Sequence, residues 1–284
     1  MRVIDAHMHL MDVTNHDDWY LTLRELAEAI GALHLYGDFM PPDYLRHAGP
    51  DFRVDAFVHV SASFKPRGYL DEAEWIDDIA DRYGLDLVHI GTVEPSMERA
   101  GIIADLERQA RSPRFRGARV LNDFAPDSAA ATPVLDWLSE RGFVFDLTAQ
   151  PALMKAWLTK LEDYPDLSVV LEHTGWPTGT DDRSRAGWKA AIEAYAAVST
   201  GACKISGLGM TTLGLSEAGL RPWLEHAITV LGWDRVLFGS NMPIDRIGGT
   251  YTELIAALKA VTGEAAPEDQ QKFWAGNAER LYRL

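Results

Sequence analysis

Cysteine occurs once in the 284 residues, at Cys203, so no intrachain disulfide forms and a disulfide-stapled scaffold is excluded. That usage fits a reducing compartment, and a cytoplasmic location is expected. Basic residues are scarce: 27 Lys and Arg face 42 Asp and Glu, a formal net charge of −15 at pH 7. Nucleic acid and anionic membrane surfaces both require a basic face, so neither is expected as a partner. An anionic small molecule stays compatible, because a few local arginines offset the field inside one pocket. Long apolar runs are also missing; nothing approaches twenty residues, so no membrane span is expected. The opening MRVIDAHMHL carries Asp5 and His7 where a signal peptide would need an uninterrupted apolar run. The glycine patterns GxGxxG and GxxxxGK[ST] are absent, which weakens the case for an open, doubly wound nucleotide fold.

What is present is a regular alternation. Eight short runs rich in Val, Ile or Phe, bounded by turn formers, read as buried parallel strands: 2–9, 53–60, 86–93, 115–121, 142–147, 167–173, 202–206 and 235–240. Between them, apolar residues recur at helical spacing in 72–83, 97–110, 133–141, 152–161, 188–198, 220–231 and 252–261. Thr132 before Pro133 reads as a helix N-cap. The polar stretch 178–185 reads as a loop. The gap 11–51 is expected to hold a helix at 21–32 and a loop over the mouth. No repeat and no break in composition divides the chain. Eight strand–helix units predict an α/β fold, a single-domain (β/α)8 TIM barrel over residues 1–284, with an extra C-terminal helix in 266–284.

In such a barrel the C-terminal strand ends face the active site. His7 and His9 end the first strand, and their spacing of two sends both imidazoles to one side, within reach of one metal ion. His59 ends the second run, Arg119 the fourth and His173 the sixth. Gln150 follows the fifth, Lys204 and Ser206 lie on the seventh, and Asn241 follows the eighth. Each has a structural alternative: His59 as a hydrogen-bonded core histidine, Lys204 as the partner of a carboxylate. So many polar groups on one rim are hard to explain as packing, since each needs a partner or solvent. His89, inside the third run, is expected to be structural. His16, His34, His47 and His226 fall in loops or helices and are set aside. Trp19 and Trp176 sit in loops, as lid or packing residues.

VIDAHMHL, FVHVSA, RGARVL, VVLEHTGWP, CKISGLG, RVLFGSNMPID and the ending NAERLYRL span nearly the whole chain. In that order they resemble the amidohydrolase superfamily, and within it the branch of sugar-lactone hydrolases and 2-pyrone-4,6-dicarboxylate lactonase. The resemblance implies a mononuclear site or a metal-free one, since the fourth run offers Arg119 where binuclear members carry a lysine. It assigns His7, His9 and His173 as ligands of one divalent ion, zinc first. Arg119 would hold a substrate anion or carbonyl. The family's strand-8 aspartate, the usual acceptor of a water proton, is Asn241 here, and an amide is no useful base at neutral pH. Asp245, four residues on, is the candidate replacement, or else a loop cap pairing with Arg246. Glu172 is expected to point away from the interior, as the strand neighbour of His173.

The leading expectation is a hydrolase that opens a small cyclic ester, or a related carbonyl compound, by water attack. Arg119, His173, Asn241 and Asp245 are its catalytic candidates, and Arg119, His59, Gln150 and Ser206 would contact substrate. A metal-dependent non-oxidative decarboxylase is the alternative within enzymes. A ligand-binding barrel that has lost its strand-8 aspartate is the alternative outside them. The expected partner is a small-molecule substrate, and a homo-oligomer is compatible with the sequence.

Overall fold

The computed structural model describes residues 1–121 and 124–284. All eight runs become strands: β1 (Ile4–Met8), β2 (Ala56–Val60), β3 (Leu87–Gly91), β4 (Phe115–Arg119), β5 (Val144–Leu147), β6 (Ser168–Leu171), β7 (Ala202–Ile205) and β8 (Val236–Phe238). They pair in parallel in sequence order. Just beyond β8 the chain returns to β1: Asn241 N–H donates to His7 O at 2.7 Å, and His9 N–H donates to Met242 O at 2.8 Å. These bonds bring the eight strands close to a closed barrel.

The long segment after β1 carries α1 (Leu21–Ala29) and α2 (Pro41–Ala48). The outer layer continues with α3 (Tyr69–Tyr83), α4 (Arg99–Gln109), α5 (Ala131–Arg141), α6 (Met154–Leu161), α7 (Asp182–Val198), a short α8 (Leu208–Thr212), α9 (Glu217–Leu231) and α10 (Tyr251–Thr262). In α3 the buried stripe is Ala73, Ile76, Ile79 and Ala80, a 3.6-residue repeat. Gly84 ends the helix in the left-handed conformation at φ 60°. Two boundaries differ from the sequence reading. The fifth helix begins at Ala131 with no side-chain cap, so Thr132 lies inside it. Residues 182–185 belong to α7, because the Asp181 side chain accepts from Arg183 N and Ser184 N and starts the helix early.

Alternation sorts the strand residues into two layers. Ile4, Ala6, Ala56, Val58, Val60, Val88, Ile90, Val144, Val170, Ala202 and Leu237 fill the interior, while their neighbours pack outward against the helices. The tail forms α11 (Pro267–Gln271), a wider π-turn and α12 (Asn277–Tyr282). Its Ala275, Ala278 and Tyr282 join the interior cluster and close the floor. There Tyr282 O–H donates to Asp146 Oδ1 at 2.7 Å. Two register shifts decide what faces the mouth. One lies in β1 between Asp5 and Met8, the other in β4 opposite His89 and Ile90. Each inserts one residue and moves the following side chains to the other face. Among the described residues, no helix is long and apolar enough to cross a membrane.

Candidate active site

The β1 shift lets Ala6 and His7 both face inward and keeps His9 on the same side as His7; their ring centroids are 5.0 Å apart. The β4 shift does the same for Arg119, which pairs in register with the inward Asp146. Gly239 accommodates this crowding, since a Cβ there would lie 2.8 Å from His7 Cβ. On β6 the outcome reverses the sequence expectation. The strand stops at Leu171, and Glu172 keeps the inward parity of Val170. The chain then enters the left-handed region at four consecutive residues, His173 (φ 52°), Thr174 (φ 54°), Gly175 (φ 75°) and Trp176 (φ 48°). Such a conformation is strained for the three non-glycine residues. It is held by Trp188 Nε1–H donating to Thr174 O at 2.6 Å and Thr174 Oγ1–H donating to Ser206 O at 3.1 Å. The turn swings His173 back over the cup, where Gly207 leaves it room: a Cβ there would be 2.5 Å from His173 Nδ1. Glu172 and His173 therefore both face the centre.

The result is a compact, fully buried cluster. His7 Nδ1 lies 3.2 Å from Glu172 Oε1, and His173 Nε2 lies 3.8 Å from Glu172 Oε2. Two cations flank the carboxylate: Arg119 Nη1 is 3.6 Å from Oε2 and Lys204 Nζ is 3.7 Å from Oε1. Thr148 Oγ1–H donates to Oε2 at 3.2 Å. Lys204 also donates to Asp146 below and lies 3.4 Å from His7 Nδ1. Burial would raise Glu172, but the His7 N–H facing it and the Arg119 and Lys204 cations together outweigh it and hold the carboxyl well below its ordinary range. Burial lowers His7 well below the usual imidazole value, and takes His173 down to about 3 and His9 to about 4. The cup thus presents unprotonated imidazoles beside an ionised carboxylate, the form in which both bind metal.

His7, Glu172 and His173 offer ligand atoms that all lie within 4.8 Å of one another. His7 Nε2 is buried with no hydrogen-bond partner, while Glu172 Oε1 has only the ion-pair neighbours His7 Nδ1 and Lys204 Nζ. Orphaned polar atoms in such a place are costly unless something else satisfies them, so the donor set fits a divalent cation. Nitrogen and oxygen donors in this mixture suit zinc or a similar first-row ion.

His9 stands beside this trio, with its ring held from behind. Its Nδ1–H donates to Val60 O at 2.7 Å, which leaves the lone pair on Nε2, 3.3 Å from Asn241 Oδ1 and available as a ligand atom. Asn241 Nδ2–H donates to Asp245 Oδ1 at 2.9 Å, and Gly209 N–H donates to Asp245 Oδ2 at 3.3 Å. Asp245 is buried behind the amide, and burial pushes its pKa up to about 7. Ser206 Oγ lies 3.2 Å from His173 Nδ1.

Two residues expected near substrate are not brought to the cluster. His59 pairs in register with Met8 and His89 on the outward side of β2, and its Nδ1 is 3.1 Å from His89 Nδ1. Gln150 is exposed at the start of a short turn after β5. Trp19 is buried and stacks on His16 with centroids 4.1 Å apart, while Trp176 stands edge-on to His173 at 4.7 Å. Glu172 is the residue that strand alternation misassigned. The turn-forming HTGWP that follows it is the available signal that β6 ends before His173.

A buried cluster of imidazoles, one carboxylate and two cations at the C-terminal mouth of a (β/α)8 barrel has the make-up of a barrel enzyme's active site. An amidohydrolase family model matches residues 4–284, and the chain belongs to that family of hydrolases. It is 28% identical to an L-fucono-1,5-lactonase of Burkholderia ambifaria, over 99% of this chain and 95% of that one. It is 29% identical to an uncharacterized protein of Sinorhizobium fredii, over 99% of this chain and 98% of the other. A solved amidohydrolase of Burkholderia multivorans with bound zinc superimposes over 100% of both chains, with a TM-score of 0.84 at 23% identity.

Proposed function

We propose that the protein opens a sugar-type lactone by hydrolysis. The observation that carries this reading is the buried His7–Glu172–His173 cluster, with His7 Nε2 left without a partner, set beside the Arg119 guanidinium. The relative named as a lactonase, similar over almost the full length, supports the substrate class. His7, Glu172 and His173 would hold a divalent ion, zinc being the first candidate, with the free Nε2 of His9 as a further donor. When bound, such an ion supplies carbonyl polarisation and a lowered pKa for water.

The chain's own residues supply the rest. Arg119 offers N–H donors to the oxygen on which negative charge gathers as the ring opens. Asn241 cannot accept the water proton, and Asp245 stands behind it; Asp245 fixes the amide, and Asn241 in turn orients His9. Glu172 is the ionised carboxylate beside both His7 and His173 and would serve as a ligand; held well below its ordinary range, it is too weak a base to replace the missing aspartate. Ser206 fixes the ring of His173. Lys204 and Asp146 form the charged base on which this arrangement rests.

The test is a lactone panel run on purified protein with metal content measured on the same sample. Ring opening lost in His7→Ala, with metal content falling in step, is the expected outcome. No turnover of any lactone with zinc or manganese added would overturn the reading. Release of carbon dioxide without ring opening would replace it with decarboxylation.

A further inference from the structure

A cleft of about 330 Å³ lies between the loops after β2 and β3, next to the cup. Arg119 lines its inner end and links it to the cluster, since the same guanidinium approaches Glu172. Arg119 is buried, at 6% exposure, and among the described residues its one hydrogen bond goes to Ser61 O at 2.5 Å. A guanidinium carries five N–H donors, so further donors are available at the cleft.

The outer part has a different chemistry. Thr92, Glu94 and Ser96 form one side, and Ser96 Oγ–H donates to Glu94 Oε1 at 3.3 Å. Lys65 on the opposite side already has its ammonium 2.5 Å from Asp18 Oδ2. That wall is tied to the segment after β1 again through Phe64 N–H, which donates to Trp19 O at 2.7 Å. One end of the cleft therefore donates to acceptors and the other presents a carboxylate and hydroxyls. A chain of hydroxyl groups, which both donate and accept, satisfies both ends. A second carboxylate on the ligand would face Glu94 and be repelled.

Resting on the lactonase reading, we infer that this cleft is the hydroxyl-binding arm of the site and Glu94 its specificity residue. It selects lactones with a polyhydroxylated ring or tail and rejects those bearing a second carboxylate. Glu94 accepts from substrate hydroxyls, while the reacting carbonyl stays with Arg119 and the cluster.

The experiment compares wild type with Glu94→Gln on D-glucono-1,5-lactone, unsubstituted δ-valerolactone and 2-pyrone-4,6-dicarboxylate. Removing a charged acceptor should raise KM for the hydroxylated lactone about tenfold, and leave δ-valerolactone within about twofold. Wild type should prefer the hydroxylated lactone to the dicarboxylate. An equal change on both neutral lactones, no change on either, or preferred turnover of the dicarboxylate overturns the inference. Calorimetric titration with sodium D-gluconate gives a readout independent of turnover. Binding weakened at least about fivefold by Glu94→Gln supports the cleft even if no lactone is opened, in which case the lactonase reading alone fails. Gluconate binding unchanged by the substitution, or absent from wild type, counts against the cleft itself.

Discussion

Replacing Lys204 with Met keeps the length of the side chain and removes a positive charge from the barrel interior. Lys204 is fully buried; it donates to Asp146 and lies 3.7 Å from Glu172 Oε1. At an effective dielectric of about 20, two unit charges at that separation interact by about 4 kcal/mol. Breaking a buried pair from one side costs about 3–5 kcal/mol, because the remaining charge keeps its desolvation penalty. Lys204→Met should therefore lose about 3–5 kcal/mol at pH 8, a large share of the roughly 5–15 kcal/mol typical of a domain. Asp146 modulates the loss. Burial raises its pKa to about 6 even with Lys204 beside it, so at pH 5 the carboxyl is largely neutral and the loss should shrink. Urea unfolding of metal-free protein at pH 5 and pH 8 measures both values. The double variant Lys204→Met with Asp146→Asn should recover part of the loss at pH 8, and the cycle gives the coupling. A loss below about 1 kcal/mol at pH 8 would refute the claim that the cluster rests on this pair.

Asp245→Asn tests the buried acid behind Asn241. A carboxyl raised to about 7 by burial contributes stability that is fully present below pH 4 and disappears as pH climbs through 7. Wild type should lose on the order of 4 kcal/mol across that window from this group, and a urea-midpoint series for the variant should be flatter. His89→Leu addresses the opposite sign. Burial lowers His89 to about 3, so only the unfolded state takes up its proton as pH falls below 6.5. Removing it should reduce the acid-side slope of stability by about 1.4 kcal/mol per pH unit between pH 6 and 4, and an unchanged slope would contradict its buried, neutral state. Asn241→Asp places a carboxylate beside His9 and against Asp245. Hydrolysis should fall, because the amide's donor to Asp245 is lost; a large gain in kcat would show that the amide is a decayed base.

The strands were legible because a buried parallel strand is a short β-branched run between turn formers, and all eight such runs pair in sequence order. The rim was legible because His7, Arg119, His173 and Ser206 sit at strand ends, where polar side chains conflict with packing. What escaped was controlled by single-residue register. Strict alternation places Glu172 outward only if the strand continues through His173, and the left-handed turn there is a backbone event with no periodic signature. The same limit applies to His59, whose position at a strand end says nothing about which face it takes. Pairing with Met8 and His89 puts it outside the cup. His9 was grouped with His7 by spacing, and what fixes its ring is the Nδ1–H bond to Val60 O, which leaves Nε2 toward Asn241. Which nitrogen is left free depends on residues more than 50 positions away.

Ala275, Ala278 and Tyr282 fill the bottom of the barrel, so on the lactonase reading substrate and product share the mouth. An opened ring must leave past the groups that admitted its precursor. The released hydroxy acid should therefore compete with incoming substrate, so turnover in a closed vessel slows as product accumulates, well before substrate is exhausted.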